Sequence, residues 1–240
     1  MTSLVQQRLL NVIERVRVAC VEAGRDPGSV RLIAVSKTKE DALIEACFQK
    51  GQLYFGENYV QELVEKAGRL PQEIRWHFIG VLQNQKKARE LVKLKNLHMI
   101  ETVHSLKAAS ELDKAMDSSI RRCVSPLPIL VQVNTSREQS KSGVVPEECL
   151  KLVDDIVRSC AHLKFSGLMT IGNPNPDPGD QNCDFKTLAA LRSAIYSEFP
   201  LYKDNLELSM GMSLDFPQAI KYGSTSVRVG SEIFGERKQD

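Results

Sequence analysis

Short runs rich in β-branched and aromatic residues alternate with longer stretches of helical periodicity along most of the chain. The first four runs begin at residues 31, 53, 75 and 97, a constant step of 22 residues that accommodates one strand, two loops and a short helix. Regular alternation predicts a parallel sheet, and eight such units predict closure into a (β/α)8 TIM barrel. The predicted strands are residues 31–36, 53–55, 75–79, 97–101, 129–134, 164–170, 206–209 and 226–229.

A helix is predicted before the first strand, because apolar residues recur on one helical face with glutamates among the arginines between them. This pattern indicates a packed helix and not a cleaved leader. No linker divides the chain, so residues 1–240 are expected to form a single barrel domain with this extra N-terminal helix. Residues 172–180, rich in turn formers, are predicted to be a surface loop. The apolar face of the helix comprises Leu9, Val12, Ile13, Val16 and Cys20.

Composition excludes some classes of function without identifying one. With 42% hydrophobic residues and a net charge of +2, the chain is typical of a globular protein, and its interspersed charges argue against nucleic acid or an anionic membrane as a partner. The longest nearly apolar run, around residues 76–82, is far shorter than the roughly 20 residues that span a bilayer.

Six scattered cysteines, Cys123 among them, predict reduced thiols and a cytoplasmic location. Nothing in the sequence requires assembly, and a monomer is expected.

Polar residues follow several predicted strands at their carboxyl ends, where barrels of this kind carry their active sites. Lys37 follows the buried run 32–35, and partial desolvation there favours the neutral amine that attacks an aldehyde. Position alone is also compatible with a surface lysine that leaves a strand. Lys39 lies two residues further on, beyond the predicted strand, and is the weaker candidate.

The last two units supply a candidate phosphate site. Glycine beside serine at a strand-to-helix junction exposes backbone N–H groups to an anion, and barrels frequently bind phosphate after strands seven and eight. Ser213 is predicted to be the N-cap of the helix that has Asp215 in its first turn, and Ser231 to cap a short helix through Phe234. Capping alone would also explain each motif.

Arg228 is a charged residue at a position expected to face the barrel interior, so it needs a partner. A cofactor ring nitrogen and a barrel carboxylate both remain open as that partner. His77, in the third strand, is more typical of a hydrogen-bonded core residue than of a catalyst. None of the four histidines has metal-ligand spacing, and no Walker or dinucleotide-binding motif occurs.

Several segments resemble one known family, the pyridoxal phosphate homeostasis proteins, and the resemblance covers about residues 3–237. Many relatives carry glycine where this chain has Arg137, a local departure in the loop that includes Lys141. The matching segments are residues 34–39, 55–62, 76–80, 168–172, 208–213 and 223–237.

The resemblance implies a fold type III barrel like the N-terminal domain of alanine racemase, with pyridoxal 5′-phosphate (PLP) as cofactor. Carried over by position, the Schiff-base lysine is Lys37, the arginine at the ring nitrogen is Arg228, and the phosphate contacts lie around Ser209, Gly230 and Ser231. The other residues expected to bind the cofactor are Asn58, Met210 and Ser213.

Three functions are compatible with these residues. The first is a carrier that holds PLP on Lys37 and exchanges it with the free pool or with PLP-dependent apoenzymes, as members of the family regulate PLP without an established turnover. The second is an amino-acid racemase or related carbanion enzyme, for which a second base from an added domain would be required; no such domain is expected after the eighth strand. The third is a phosphosugar-binding barrel that makes no use of Lys37.

Overall fold

A computed structural model describes residues 2–118, 126–138, 140–173, 182–203 and 205–236 of the chain. Eight parallel strands close into a barrel in sequence order, and β1 completes the circle by pairing with β8. The predicted (β/α)8 barrel is therefore confirmed, and the ends of the predicted strands are correct to within two residues. The strands are β1 Arg31–Val35, β2 Tyr54–Glu57, β3 Arg75–Phe78, β4 Leu97–Val103, β5 Leu127–Gln132, β6 Leu163–Met169, β7 Glu207–Ser209 and β8 Ser226–Val229.

Helices cover the outside of the barrel, and single turns of 3-10 helix span Pro146–Glu148 and Pro200–Tyr202. Among the described residues, no helix is both long and apolar enough to cross a membrane. The α-helices are α1 Thr2–Glu22, α2 Asp41–Phe48, α3 Val60–Arg69, α4 Gln85–Leu91, α5 Leu106–Asp117, α6 Cys149–Ser159, α7 Cys183–Glu198, α8 Phe216–Lys221 and α9 Ser231–Phe234.

The extra helix α1 packs against α2, α8 and α9. Leu9, Val12 and Val16 are buried in this contact, as predicted, but Ile13 is 38% exposed and does not belong to the packed face. One residue along a helix is a rotation of about 100°, so the side chain after Val12 points away from the contact. The remaining buried residues of α1 are Val5, Ala19 and Cys20.

Two of the sequence-based expectations fall partly or wholly outside the described residues. Most of the predicted loop, from residue 174 to residue 180, lies there, and so does Cys123. Of the described cysteines, Cys20, Cys47, Cys149 and Cys160 are buried, and burial raises the pKa of the Cys47 and Cys149 thiols to about 12. Both thiols are therefore protonated and poorly reactive at neutral pH.

The barrel interior combines a small apolar cluster with a polar network. Met99, Leu130 and Met169 form a cluster separate from the main core. Glu101 of β4 accepts hydrogen bonds from His77 of β3 and from Ser209 on the far side of the barrel. These buried polar side chains therefore cross the interior and lead toward the carboxyl ends of the strands.

Candidate functional site

A cavity of about 390 Å³ opens at the carboxyl ends of the strands. It is lined by residues that directly follow β1, β2, β3 and β8 and by the loop after β7. Eight residues were expected at the cofactor site, and the structure places six of them in this lining. Ser209 and Met210 are the exceptions: both are fully buried and lie outside the lining. The six are Lys37, Asn58, Ser213, Arg228, Gly230 and Ser231.

Lys37 stands in a sharp turn at the end of β1. It is half-buried, and the next residue, Thr38, has a φ of 62°, in the left-handed region that β-branched residues rarely adopt. Lys39 lines the same cavity, but its Nζ donates to the carbonyl oxygens of Gly235 at 3.1 Å and Glu236 at 2.9 Å. The Lys39 amine is thus engaged by the C-terminal segment.

A buried ion network holds the backbone around this turn. Lys66 of α3 is only 3% exposed, and its Nζ donates to the Ser36 carbonyl at 2.7 Å, to Glu57 at 2.8 Å and to Glu62 at 2.7 Å. Burial raises the pKa of Glu57 to about 7, although Lys66 and the Ser36 hydroxyl act against that shift. The sequence analysis did not find this network; its only signal is a lysine on the otherwise apolar face of α3.

Arg228 contacts a carboxylate through an intervening hydroxyl. Its Nη1 donates to the Ser209 hydroxyl at 2.6 Å and its Nη2 to the Thr170 carbonyl at 2.8 Å. The Ser209 hydroxyl donates in turn to Glu101 Oε2 at 2.6 Å. His77 Nδ1 lies 2.5 Å from the other Glu101 oxygen. The guanidinium is therefore fixed at the wall of the cavity by a chain of buried polar groups.

The charged groups in this series of hydrogen bonds stabilise one another. Burial alone would raise the pKa of Glu101, but the hydrogen bond and charge of His77, together with Arg228 and Ser209, hold it below its ordinary value. Burial lowers the pKa of Arg228, and the negative charges of Glu101 and Asp215 oppose that shift. Glu101 is thus an ionised partner for Arg228. The sequence analysis missed Glu101, and a carboxylate inside an apolar strand was its only signal.

At the candidate phosphate site, the helix caps differ from those predicted from the sequence. Helix α8 begins at Phe216, with Asp215 at the N-cap position, so Ser213 is not its cap. Ser231 is the first residue of α9 and Gly230 precedes it, so Ser231 does not cap that helix either. The two serine side chains instead form a hydrogen bond with each other, in which Ser231 Oγ donates to Ser213 Oγ at 3.1 Å. Both predicted caps are wrong because each helix starts at a different residue from the one its serine implied.

The loop after β7 has its shape because of a glycine. Gly211 has a φ of 95°, and a Cβ there would lie 2.6 Å from the Cβ of Ala219. Asp215 then closes the loop by accepting a 2.6 Å hydrogen bond from the Met212 N–H. Burial raises the pKa of Asp215, while this hydrogen bond and the Arg228 charge act against the shift. The loop thereby presents Ser213 to the cavity.

Asn58 is held in the cavity wall by a close approach of two loops. A Cβ on Gly80 would lie 1.8 Å from the Asn58 carbonyl oxygen, so only glycine allows this contact. The side-chain Oδ1 of Asn58 is buried and accepts no hydrogen bond from any residue that the structure describes. An unsatisfied buried acceptor is costly, and because Asn58 lines the cavity, this oxygen is a candidate contact for a bound molecule.

The loop after β5 contains Arg137, where the sequence analysis noted a departure from the family pattern. Arg137 has a φ of 56°, in the left-handed region that glycine adopts most readily, and its guanidinium pairs with Glu147. Lys141 Nζ donates to Glu138 at 2.5 Å and to the Gly172 carbonyl at 2.8 Å. The loop therefore keeps a left-handed residue at this position without glycine.

These side chains suit a phosphorylated aromatic aldehyde: an amine, a guanidinium, an amide with an unmet acceptor and two adjacent hydroxyls share one cavity. A metal centre has no comparable support, since the described part of the chain contains no group of three or more His, Cys, Asp and Glu side chains that could hold an ion.

Comparisons with known proteins identify the family to which the chain is similar. The family model for the N-terminal domain of alanine racemase matches residues 14–238. A pyridoxal phosphate homeostasis protein from Homo sapiens is 46% identical over 94% of this chain and 84% of its own length. PipY of Synechococcus elongatus PCC7942, solved with PLP bound, has a TM-score of 0.73 and 29% identity over 92% of this chain and 99% of PipY.

A more distant structure shares the fold alone. The alanine racemase of Streptomyces coelicolor has a TM-score of 0.66 and 17% identity, and the match covers 95% of this chain but 59% of the racemase. The full-length match to the homeostasis proteins is far closer. The chain therefore belongs to the family of pyridoxal phosphate homeostasis proteins, built on the barrel of the alanine racemase N-terminal domain.

Proposed function

We propose that this protein holds PLP reversibly through a Schiff base on Lys37 and exchanges it, as a carrier in intracellular PLP homeostasis. One observation carries the proposal: the Lys37 amine, the Arg228 guanidinium and the Ser213–Ser231 hydroxyl pair line a single cavity. An aldehyde, a ring nitrogen and a phosphate on one small molecule require these three kinds of partner. The names of the relatives and the PLP bound to PipY support the same ligand.

Each residue has a definite role in this proposal. PLP supplies an electrophilic aldehyde carbon. The neutral Lys37 amine attacks that carbon, loses both of its protons and forms a C=N bond, and the aldehyde oxygen leaves as water. Arg228 faces the ring nitrogen as a donor, which keeps that nitrogen unprotonated and makes the ring a weak electron sink. Ser213, Gly230 and Ser231 hold the phosphate.

Ser209 has a different role from the one first expected. Its hydroxyl is fully buried and is engaged by both Arg228 and Glu101, so we assign it to the positioning of Arg228 and not to the phosphate. A donor arginine makes the ring a weaker electron sink than an acidic partner would, and the relatives are named for PLP homeostasis; on these two grounds we propose a carrier. A cytoplasmic location, a monomeric state and apoenzymes as recipients remain predictions.

Borohydride reduction tests the covalent attachment. The purified protein is incubated with PLP, its absorption spectrum is recorded before and after reduction, and the adduct is located by peptide mass mapping. We expect a phosphopyridoxyl group on Lys37 that is lost in Lys37→Ala. Lys39→Ala is the matched control, because Lys39 lines the same cavity and should leave the adduct in place.

Two outcomes would overturn the proposal. An unmodified protein, or an adduct on a different lysine, would contradict Schiff-base binding at Lys37 and would favour a phosphosugar-binding barrel. Steady turnover of any amino acid in a panel, lost in Lys37→Ala, would contradict a carrier and favour a racemase or related enzyme.

A further inference from the structure

The peptide groups on both sides of Lys37 are tied to one buried lysine. Lys66 Nζ donates directly to the carbonyl oxygen of Ser36, the residue before Lys37. It also donates to Glu62 Oε1, and this same oxygen accepts the backbone N–H of Thr38, the residue after Lys37, at 2.6 Å. One ammonium group and one carboxylate oxygen thus clamp the backbone of the lysine to which we assign the covalent bond.

We propose that Lys66 is a positioning residue, acting with Glu62, that sets the direction in which the Lys37 amine points into the cavity. This inference rests on the proposed function, because it gives a role to the direction of Lys37. Lys66 itself lies outside the cavity lining and reaches Lys37 only through the backbone on either side.

The chemistry of the network favours positioning over simple packing. Attachment of α3 to the barrel needs only apolar contacts, which Leu63 and Ala67 on the same face already supply. A buried ammonium is costly unless its donors are satisfied, and Lys66 makes three charge-assisted contacts. Two of the three contacts hold the backbone at residues 36 and 38, and the third goes to Glu57, whose Oε1 also accepts the Ser36 hydroxyl at 2.6 Å.

Thr38 supplies a second, independent reason. A positive φ at a β-branched residue is strained and persists only where its surroundings enforce it. The Lys39 N–H closes the turn on the Ser36 carbonyl at 3.1 Å, and Thr38 itself is held by the hydrogen bond from its N–H to Glu62 Oε1. Release of this bond would let the backbone after Lys37 relax toward an extended conformation and turn the amine away from the cavity.

Two variants and two matched controls test the inference. Lys66→Met removes all three donors at similar side-chain length, and Glu62→Ala removes the acceptor of the Thr38 N–H. The controls are Arg69→Met and Glu65→Ala on the same helix; these two side chains contact Asp41, Gln61 and each other. The measurements are PLP affinity from the absorption spectrum and hydrogen exchange of the peptide that contains residues 33–40 in the protein without PLP.

We expect both test variants to bind PLP roughly ten- to a hundredfold more weakly, the loss typical of a misdirected reactive group. Exchange should quicken in the Lys37 peptide and stay unchanged in the strands of the barrel. Both controls should behave as the wild type. Glu62→Gln keeps an oxygen acceptor for Thr38 and should restore most of the affinity.

The outcomes separate this inference from the proposed function. Absence of an adduct on Lys37 in the wild type would defeat the proposed function itself. An adduct on Lys37 with wild-type affinity and exchange in Glu62→Ala would overturn the inference alone. Lys66→Met also leaves Glu57 without its cation, so if that variant unfolds, Glu62→Ala decides the question. Faster exchange throughout the barrel with unchanged affinity per folded molecule would show a purely structural role and would likewise overturn it.

Discussion

Arg228 donates a 2.6 Å hydrogen bond to the hydroxyl of Ser209, and through that hydroxyl its charge is linked to Glu101. A guanidinium that is 4% exposed would be very costly without such compensation. The Glu101 carboxylate reaches the guanidinium only through Ser209, and the hydrogen bonds to Ser209 and Thr170 use two of its five N–H donors. This arrangement keeps a positive donor at the cavity wall while its countercharge stays inside the barrel.

Arg228→Ala should alter the spectrum of bound PLP more than its occupancy. Lys37 and the two serines still anchor the ligand, so we expect affinity to fall by less than roughly tenfold, whereas the ring nitrogen loses its donor. Absorption spectra at saturating PLP and a titration of affinity check both parts, with Arg228→Lys as the charge-retaining control. An empty cavity at saturating PLP would contradict the expected role.

Glu101→Gln should destabilise the fold and leave the covalent site intact. The substitution removes the carboxylate that joins Arg228, through Ser209, to His77. The loss of a hydrogen bond to a charged group costs roughly 1.5 to 3 kcal/mol. Urea unfolding measures this change in the free energy of unfolding. Combined with Arg228→Ala, the loss should be smaller than the sum of the two single losses, because both variants remove the same charge pair. Strict additivity would show that the two groups are not coupled.

Replacement of both Ser213 and Ser231 by alanine should weaken phosphate binding. Each lost charge-assisted hydrogen bond is expected to cost roughly 1.5 to 3 kcal/mol. Pyridoxal, which has the same ring and aldehyde without the phosphate, is the control ligand, and its affinity should not change. Equal losses for PLP and pyridoxal would place the phosphate elsewhere in the cavity.

The stability of the protein should depend on pH through Glu57. Burial raises its pKa from 4.5 to about 7 in the folded state, so the folded protein binds this proton more tightly than the unfolded chain does. The resulting stabilisation is fully present below about pH 4.5 and is lost as the pH rises through about 7, a difference of up to about 3 kcal/mol.

Glu57→Gln removes this titration. The free energy of unfolding of the wild type, measured relative to Glu57→Gln by urea unfolding, should therefore fall between about pH 4 and about pH 8. Parallel curves for the two proteins over this range would show that Lys66 holds the Glu57 pKa near its ordinary value.

A site residue could be predicted from the sequence where its position followed from the residues next to it in the chain. Lys37 and Gly230 follow strands that alternation alone identifies, so their place at the rim followed from the order of the elements. The contact of Lys66 with Ser36 had no such signal, because 30 positions separate the two residues. The capping roles predicted for Ser213 and Ser231 were wrong for a related reason. The sequence pattern shows that a helix follows each serine, but it does not fix the residue at which that helix begins.

The sequence by itself determined the eight strand–helix units, their closure into a barrel and the rim on which Lys37 stands, because periodicity and element order depend on neighbouring residues. Only the tertiary structure decided that Ser209 serves Arg228, that Glu101 compensates its charge and that Lys66 clamps the turn around Lys37. Ser209 and Glu101 are 108 positions apart and meet across the barrel. Contacts of this kind depend on the distances and directions of side chains in the closed barrel, which local pattern does not contain.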